Sequence, residues 1–181
     1  MRKLIIKYKS VIRFILTFIT VYIVLSLSYK LYLDVSKGGN FYPDYITNLV
    51  SKQAEILLNS FGYDAHIHPH DMEPSMKLIV NGKYIARVIE GCNSISVIVL
   101  FISFVIAFSG KVRETLVFLL AGSVLIYAVN LLRIVILSIG MYHYPWRKEI
   151  LHTVIFPAII YGIVFSLWII WVNHCSKMKK R

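Results

Sequence analysis

Cysteine and acidic side chains are scarce in this 181-residue sequence, which has two Cys, and nine Asp and Glu against twenty Lys and Arg. It also lacks internal repeats and low-complexity stretches. The formal net charge of +11 raises the question of nucleic acid. No nucleic-acid motif or basic groove interleaved with aromatics supports that class, so nucleic acid is set aside as a partner. What is abundant is apolar. Hydrophobic residues make up 57% of the chain and the mean hydropathy is +0.67. With long apolar runs, this describes an integral membrane protein rather than a soluble domain.

The first run, Phe14 to Leu33, follows Arg2, Lys3, Lys7, Lys9 and Arg13, as in the front of a signal peptide. It outlasts the ~7 to 15 apolar residues of such a peptide and has no small-residue cleavage site, which predicts a retained transmembrane helix. Three further spans are predicted over Asn93–Phe108, Thr115–Gly140 and Thr153–Val172. The expectation is a single 181-residue domain, all-α, with four transmembrane helices. Four crossings put both termini on one side, and the basic residues of both tails and of the Lys111/Arg113 turn mark that side as cytoplasmic. Anionic lipid headgroups are the natural counterpart of the charge.

Residues 34–91 then lie outside the membrane. Asp44 can cap a helix from Tyr45 to about Ser60, with Ile46, Leu49, Val50, Leu57 and Phe61 on one apolar face, an amphipathic helix for the outer leaflet or the bundle. Met76 to Val80 and Lys83 to Ile89 flank Asn81-Gly82, the pair preferred by a two-residue hairpin turn. That β-hairpin leads into Cys92 at the start of the second span. His66-Ile67-His68-Pro69-His70-Asp71 invites a metal reading, but Pro69 disturbs the alternation and no fourth ligand is evident, so no metal and no cofactor is assigned.

Three residues on three different spans fall toward the outer face: Cys92, Arg133 and His152. Arg133 precedes Gly140 by seven residues, or ~10 Å at helical rise, and snorkelling reaches further. A thiol at a helix start beside a guanidinium favours the thiolate, an imidazole beside the same cation favours the neutral base, and a permanent cation can stabilise an oxyanion. Asn130 shares the Arg133 helix face and can orient its guanidinium or add a donor. Each residue has a plainer reading alone: an inert thiol, an anchor or a partner of Glu90 or Glu149, an interfacial histidine. The combination favours catalysis. Cys175 falls at the opposite face, ~30 Å from Cys92 across the hydrocarbon core, well past the ~7 Å Cα limit of a disulfide.

The strings Glu90-Gly91-Cys92-Asn93-Ser94 and Asn130-Leu131-Leu132-Arg133-Ile134, with His152 ahead of the last apolar helix, resemble the Cys, Asn-x-x-Arg and His signatures of the exosortase/archaeosortase family, and its small F-type members most. The resemblance implies a membrane cysteine protease and transpeptidase of the bacterial cell membrane, with its active site at the outer face. It implies action on C-terminal sorting signals, with Cys92 forming a thioester, Arg133 as electrostatic partner and His152 moving the proton. The implied partners are membrane lipids and the C-terminal anchor helix of secreted substrates. Cys-Asn-Ser stands where larger members carry Cys-Ser-Gly, and four spans are fewer than theirs, which leaves room for a small membrane partner protein. The competing reading is a noncatalytic four-helix scaffold or transporter subunit, in which Arg133 pairs with a carboxylate or binds a lipid phosphate.

Overall fold

The structure is a computed structural model that describes residues 8–36, 41–108 and 110–178. Five substantial helices and one small sheet build it: α1 (Lys9–Ser36), α2 (Tyr45–Ser60), β1 (Ala65–Pro69), β2 (Met76–Val80), β3 (Lys83–Val88), α3 (Ile95–Ala107), α4 (Val112–His143), the single turn α5 (Lys148–Ile150) and α6 (Phe156–Met178). A 3-10 turn, Glu90–Cys92, joins β3 to α3, and a π-helical turn, Leu151–Ile155, precedes α6.

Among the described residues three helices are long and apolar enough to cross a membrane: Lys9–Ser36, Val112–His143 and Thr153–Ser176. The segment expected to span over Asn93–Phe108 forms a helix of 13 residues, which covers about 20 Å of the ~30 Å hydrocarbon core. Its shortness has a local cause. Ser94 takes a left-handed conformation at φ 65°, and the Asn93 side chain accepts the amide of Ile95 at 3.0 Å, so both residues serve the turn before the helix.

Asp44 begins α2 because its carboxylate accepts the amides of Ile46 and Thr47, both at 3.0 Å, satisfying donors that have no partner within the helix. The buried stripe of α2 is Thr47, Val50, Ser51, Ala54 and Leu58. This differs from the purely apolar face expected, and Phe61, beyond the last turn, is exposed. Small residues are buried there because the helix lies closely against both the sheet and α4. Thr47 and Ser51 can join them because the Ser51 hydroxyl returns a hydrogen bond to the Thr47 carbonyl at 2.7 Å.

The sheet is antiparallel in the order β1-β2-β3. Asn81 and Gly82 turn β2 into β3 with φ of 49° and 73°, the positive values that a two-residue turn of this kind needs. β1 adds a strand to the expected hairpin, pairing Ala65 with Val80 and Pro69 with Met76. Proline is tolerated there because β1 is an edge strand and Pro69 is its last residue. His66 lies 3.1 Å from Asp64, and among the described residues no group of three or more His, Cys, Asp or Glu gathers for a metal.

Among the described residues the two larger apolar clusters hold the molecule. In one, Val50, Ala54 and Leu58 of α2 and Leu78 and Val80 of β2 pack on Ile134 and Val135 of α4. In the other, Phe101 and Val105 of α3 meet Ile126 of α4 and Val164 and Trp171 of α6. α1 runs antiparallel along α3: Phe14 meets Phe108 edge-on with ring centroids 5.7 Å apart, and Tyr29 reaches Asn93 at the other end. α3 packs on α4 at Gly122, where a Cβ would lie 2.3 Å from Cζ of Phe101. Gly122→Ala is expected to destabilise the protein by about 1–3 kcal/mol through overpacking, seen as a lower thermal midpoint in detergent, with partial rescue by Phe101→Leu. A midpoint equal to wild type would contradict this close approach.

Candidate active site

The path into Cys92 is tightly hydrogen-bonded. β3 ends at Val88, and the Cys92 amide then donates to the Ile89 carbonyl at 2.8 Å and the Asn93 amide to the Glu90 carbonyl at 3.2 Å, closing the 3-10 turn. The left-handed Ser94 then swings the chain into α3. Cys92 therefore stands on an elbow two residues before the helix cap, half-buried, rather than in the first turn of α3.

The second wall is α4. Asn130 is buried, and its Nδ2 donates to the Cys92 carbonyl at 2.6 Å. One turn later, Arg133 Nη1 donates to Asn130 Oδ1 at 3.3 Å. The amide of Asn130 thus links the Cys92 main chain to the Arg133 guanidinium. Spacing of three residues on one helix makes this possible, since i and i+3 share a face.

Cys92 and Arg133 line one cavity of about 270 Å³, with Ala86, Arg87 and Val88 of β3 and Ser138 of α4 among its walls. The sheet overlies α4 here, packing Ile85 and Ala86 against Leu137 and Met141. Arg87 at the rim is paired with Glu73. Among the described residues Arg133 forms no ion pair, and its buried Nε has no hydrogen-bond partner. A buried N–H without an acceptor is unfavourable by about 1–3 kcal/mol. The cavity therefore contains a cation with unused donor capacity, suited to an oxygen that carries negative charge.

Of the residues singled out from the sequence, Cys92, Asn130 and Arg133 come together. The His152 side chain lies outside the described residues. Cys175 sits at the far end of the bundle, its thiol 3.9 Å from the Phe108 carbonyl, and no disulfide joins it to Cys92. The helix carrying Arg133 is longer than the expected span: α4 continues past Gly140 to His143, which puts the Arg133 Cα about 15 Å along the axis from that end. Glu90, one proposed partner of Arg133, is exposed on the turn. The cavity walls supplied by β3 and by Ser138 carried no signal in the sequence, because they depend on how the sheet folds back over α4.

A mainly helical membrane protein with a cysteine elbow facing an asparagine and an arginine across a cavity is the class this architecture defines. The chain belongs to the transmembrane exosortase family (Exosortase_EpsH), whose model matches residues 9–173. No curated protein and no solved structure matches it.

The backbone at Ser94 explains a departure noted from the sequence. Larger relatives resembling this chain carry glycine two residues after the cysteine, and that position is left-handed here, a conformation glycine adopts without strain. Ser94 is 4% exposed and its hydroxyl bonds the Asn93 carbonyl at 2.6 Å. Ser94→Gly should keep the wild-type thermal midpoint or raise it, whereas Ser94→Val should cost about 1–3 kcal/mol from a β-branched residue at positive φ. Equal midpoints for the two variants would contradict the left-handed elbow.

Proposed function

We propose that this protein is a membrane-embedded cysteine protease or transpeptidase that processes the C-terminal sorting signals of secreted proteins through a thioester on Cys92. Membership of the exosortase family supports a membrane transpeptidase or protease role in general. The observation that carries the finer reading is the chain Cys92 carbonyl, Asn130, Arg133, at 2.6 and 3.3 Å, beside a cavity shared by the thiol and the guanidinium.

In this mechanism the substrate's anchor helix enters laterally from the lipid and presents its recognition segment at the cavity. The Cys92 thiolate attacks the scissile carbonyl, forming a carbon–sulfur bond, and Arg133 stabilises the oxyanion. Collapse breaks the carbon–nitrogen bond as His152 delivers a proton to the leaving amine. Water or an amine then attacks the thioester, releasing the thiol and giving either a cleaved or a transferred product. Both termini are cytoplasmic and the site is at the outer face. Support for this orientation comes from the Phe14–Phe108 and His174–Glu114 contacts, which gather the helix ends bearing Lys9, Arg13, Lys111 and Arg113 at the pole opposite Cys92.

The scaffold alternative has Arg133 paired with a carboxylate or bound to a lipid phosphate; among the described residues no carboxylate pairs with it. Cys92→Ala, expressed at the wild-type level in the membrane, should cause a secreted protein to accumulate with its C-terminal helix uncleaved. Arg133→Lys should slow processing by about 100-fold, the scale of losing an oxyanion donor. Unchanged processing of every candidate substrate in Cys92→Ala would sink the enzyme reading.

A further inference from the structure

Asn93, beside the nucleophile, is completely buried and uses its side chain on three separate elements. Its Nδ2 donates to the Tyr29 hydroxyl oxygen of α1 at 2.7 Å and to Thr47 Oγ1 of α2 at 3.1 Å. Its Oδ1 accepts the Ile95 amide that opens α3, at 3.0 Å. The main chain is equally committed: the amide donates to Glu90 and the carbonyl accepts the Ser94 hydroxyl. Both amide hydrogens of the side chain are used, which is its full donor capacity.

Starting a helix requires only the bond to Ile95. The two bonds from Nδ2 go beyond that need, and they tie the elbow to α1 and α2. On the other side of Cys92, Asn130 holds the Cys92 carbonyl from α4. The Cys92–Asn93 peptide unit is therefore gripped by two asparagines, one drawing on α4 and the other on α1 and α2. Turning the Cys92 side chain away from the cavity by a backbone rotation would break at least one of these bonds.

We propose that Asn93 is a positioning residue for the nucleophile: the hydroxyls of Tyr29 and Thr47, acting through its amide, hold the elbow so that the Cys92 sulfur faces the Arg133 cavity. This rests on the reading of Cys92 as nucleophile. The two are tested separately, because thiol labelling needs no substrate. A network of this kind is worth more together than bond by bond, since each partner orders the next.

The test uses the full chain in lipid nanodiscs and N-ethylmaleimide, with labelling of Cys92 and Cys175 followed peptide by peptide as a function of pH. The variants are Tyr29→Phe, Thr47→Val and their combination, with Ser28→Ala as a hydroxyl deletion outside the network. The combined variant should slow Cys92 labelling about fivefold, the scale of one net hydrogen bond. The Cys175 rate and the Ser28→Ala variant should match wild type. Processing should lose kcat with KM unchanged. If the combined variant does not fold, Tyr29→Phe alone should still slow Cys92 selectively, by about twofold. A Cys92 rate that is unchanged or raised in the folded variants overturns the role of Asn93, whatever Cys92→Ala does to processing. Retained processing in Cys92→Ala overturns the enzyme reading and leaves the labelling result standing.

Discussion

A guanidinium on an apolar helix has few partners to draw on, and among the described residues the donors of Arg133 are incompletely satisfied. Placing arginine at the centre of a membrane helix is unfavourable by about 2.5–3.5 kcal/mol even on permissive scales. Here one amide oxygen, Asn130 Oδ1, accepts one Arg133 donor at 3.3 Å, while Nε is buried with no acceptor among the described residues. The surroundings follow from that requirement. Asn130 must share a face with Arg133, its Nδ2 is then turned toward the Cys92 carbonyl, and the sheet covers the resulting cavity with Ala86, Arg87 and Val88. A group whose only role was anchoring would snorkel to the surface or pair with a carboxylate.

Packing transmits this arrangement through the bundle. Phe101 sits against Gly122, so α3 and α4 approach until almost no space remains between them. That contact sets the distance between the elbow at the start of α3 and the Asn130–Arg133 face of α4. Below it, Trp171 stacks on Phe118 with centroids 4.8 Å apart and donates to the Phe108 carbonyl at 3.2 Å. The short α3 can thus be held at both ends: by Trp171 at the basic pole and by Asn93 at the site. α2 contributes from outside, through the Tyr127 hydroxyl bonded to Gln53 at 2.6 Å. Rigid elements on each side of a reacting group are what pre-organised catalysis requires.

Much of this end of the molecule was legible in residue type and spacing. Asp44 before an apolar periodicity and Asn81-Gly82 between two strand-like runs describe local chemistry, and local chemistry does not depend on distant partners. Asn130 and Arg133, three apart on one helix, were bound to share a face. Counting along the apolar runs put Cys92 and Arg133 toward one end of the bundle, and the two line one cavity. The less legible features depend on tertiary contact. β1 reads as a histidine-rich loop until β2 supplies its partner, and the buried stripe of α2 includes Thr47 and Ser51 because α2 packs against the sheet and α4 at close range. Asn93 looks like an ordinary polar residue at a helix start, and only the approach of Tyr29 and Thr47 reveals its other bonds. The length of α3 was overestimated for the same reason, since Asn93 and Ser94 belong to the elbow.

The proposed mechanism runs through a thioester on Cys92. It draws on a thiol at a hydrogen-bonded elbow, a guanidinium in the same cavity with no ion pair among the described residues, and membership of the exosortase family. The most direct measurement is mass spectrometry of the protein isolated from cells that make its substrates, with and without hydroxylamine, which cleaves thioesters. The mechanism predicts a hydroxylamine-sensitive peptide adduct on Cys92 and none on Cys175. A substrate processed at the normal rate by protein that never carries such an adduct, and equally by Cys92→Ala, would contradict it.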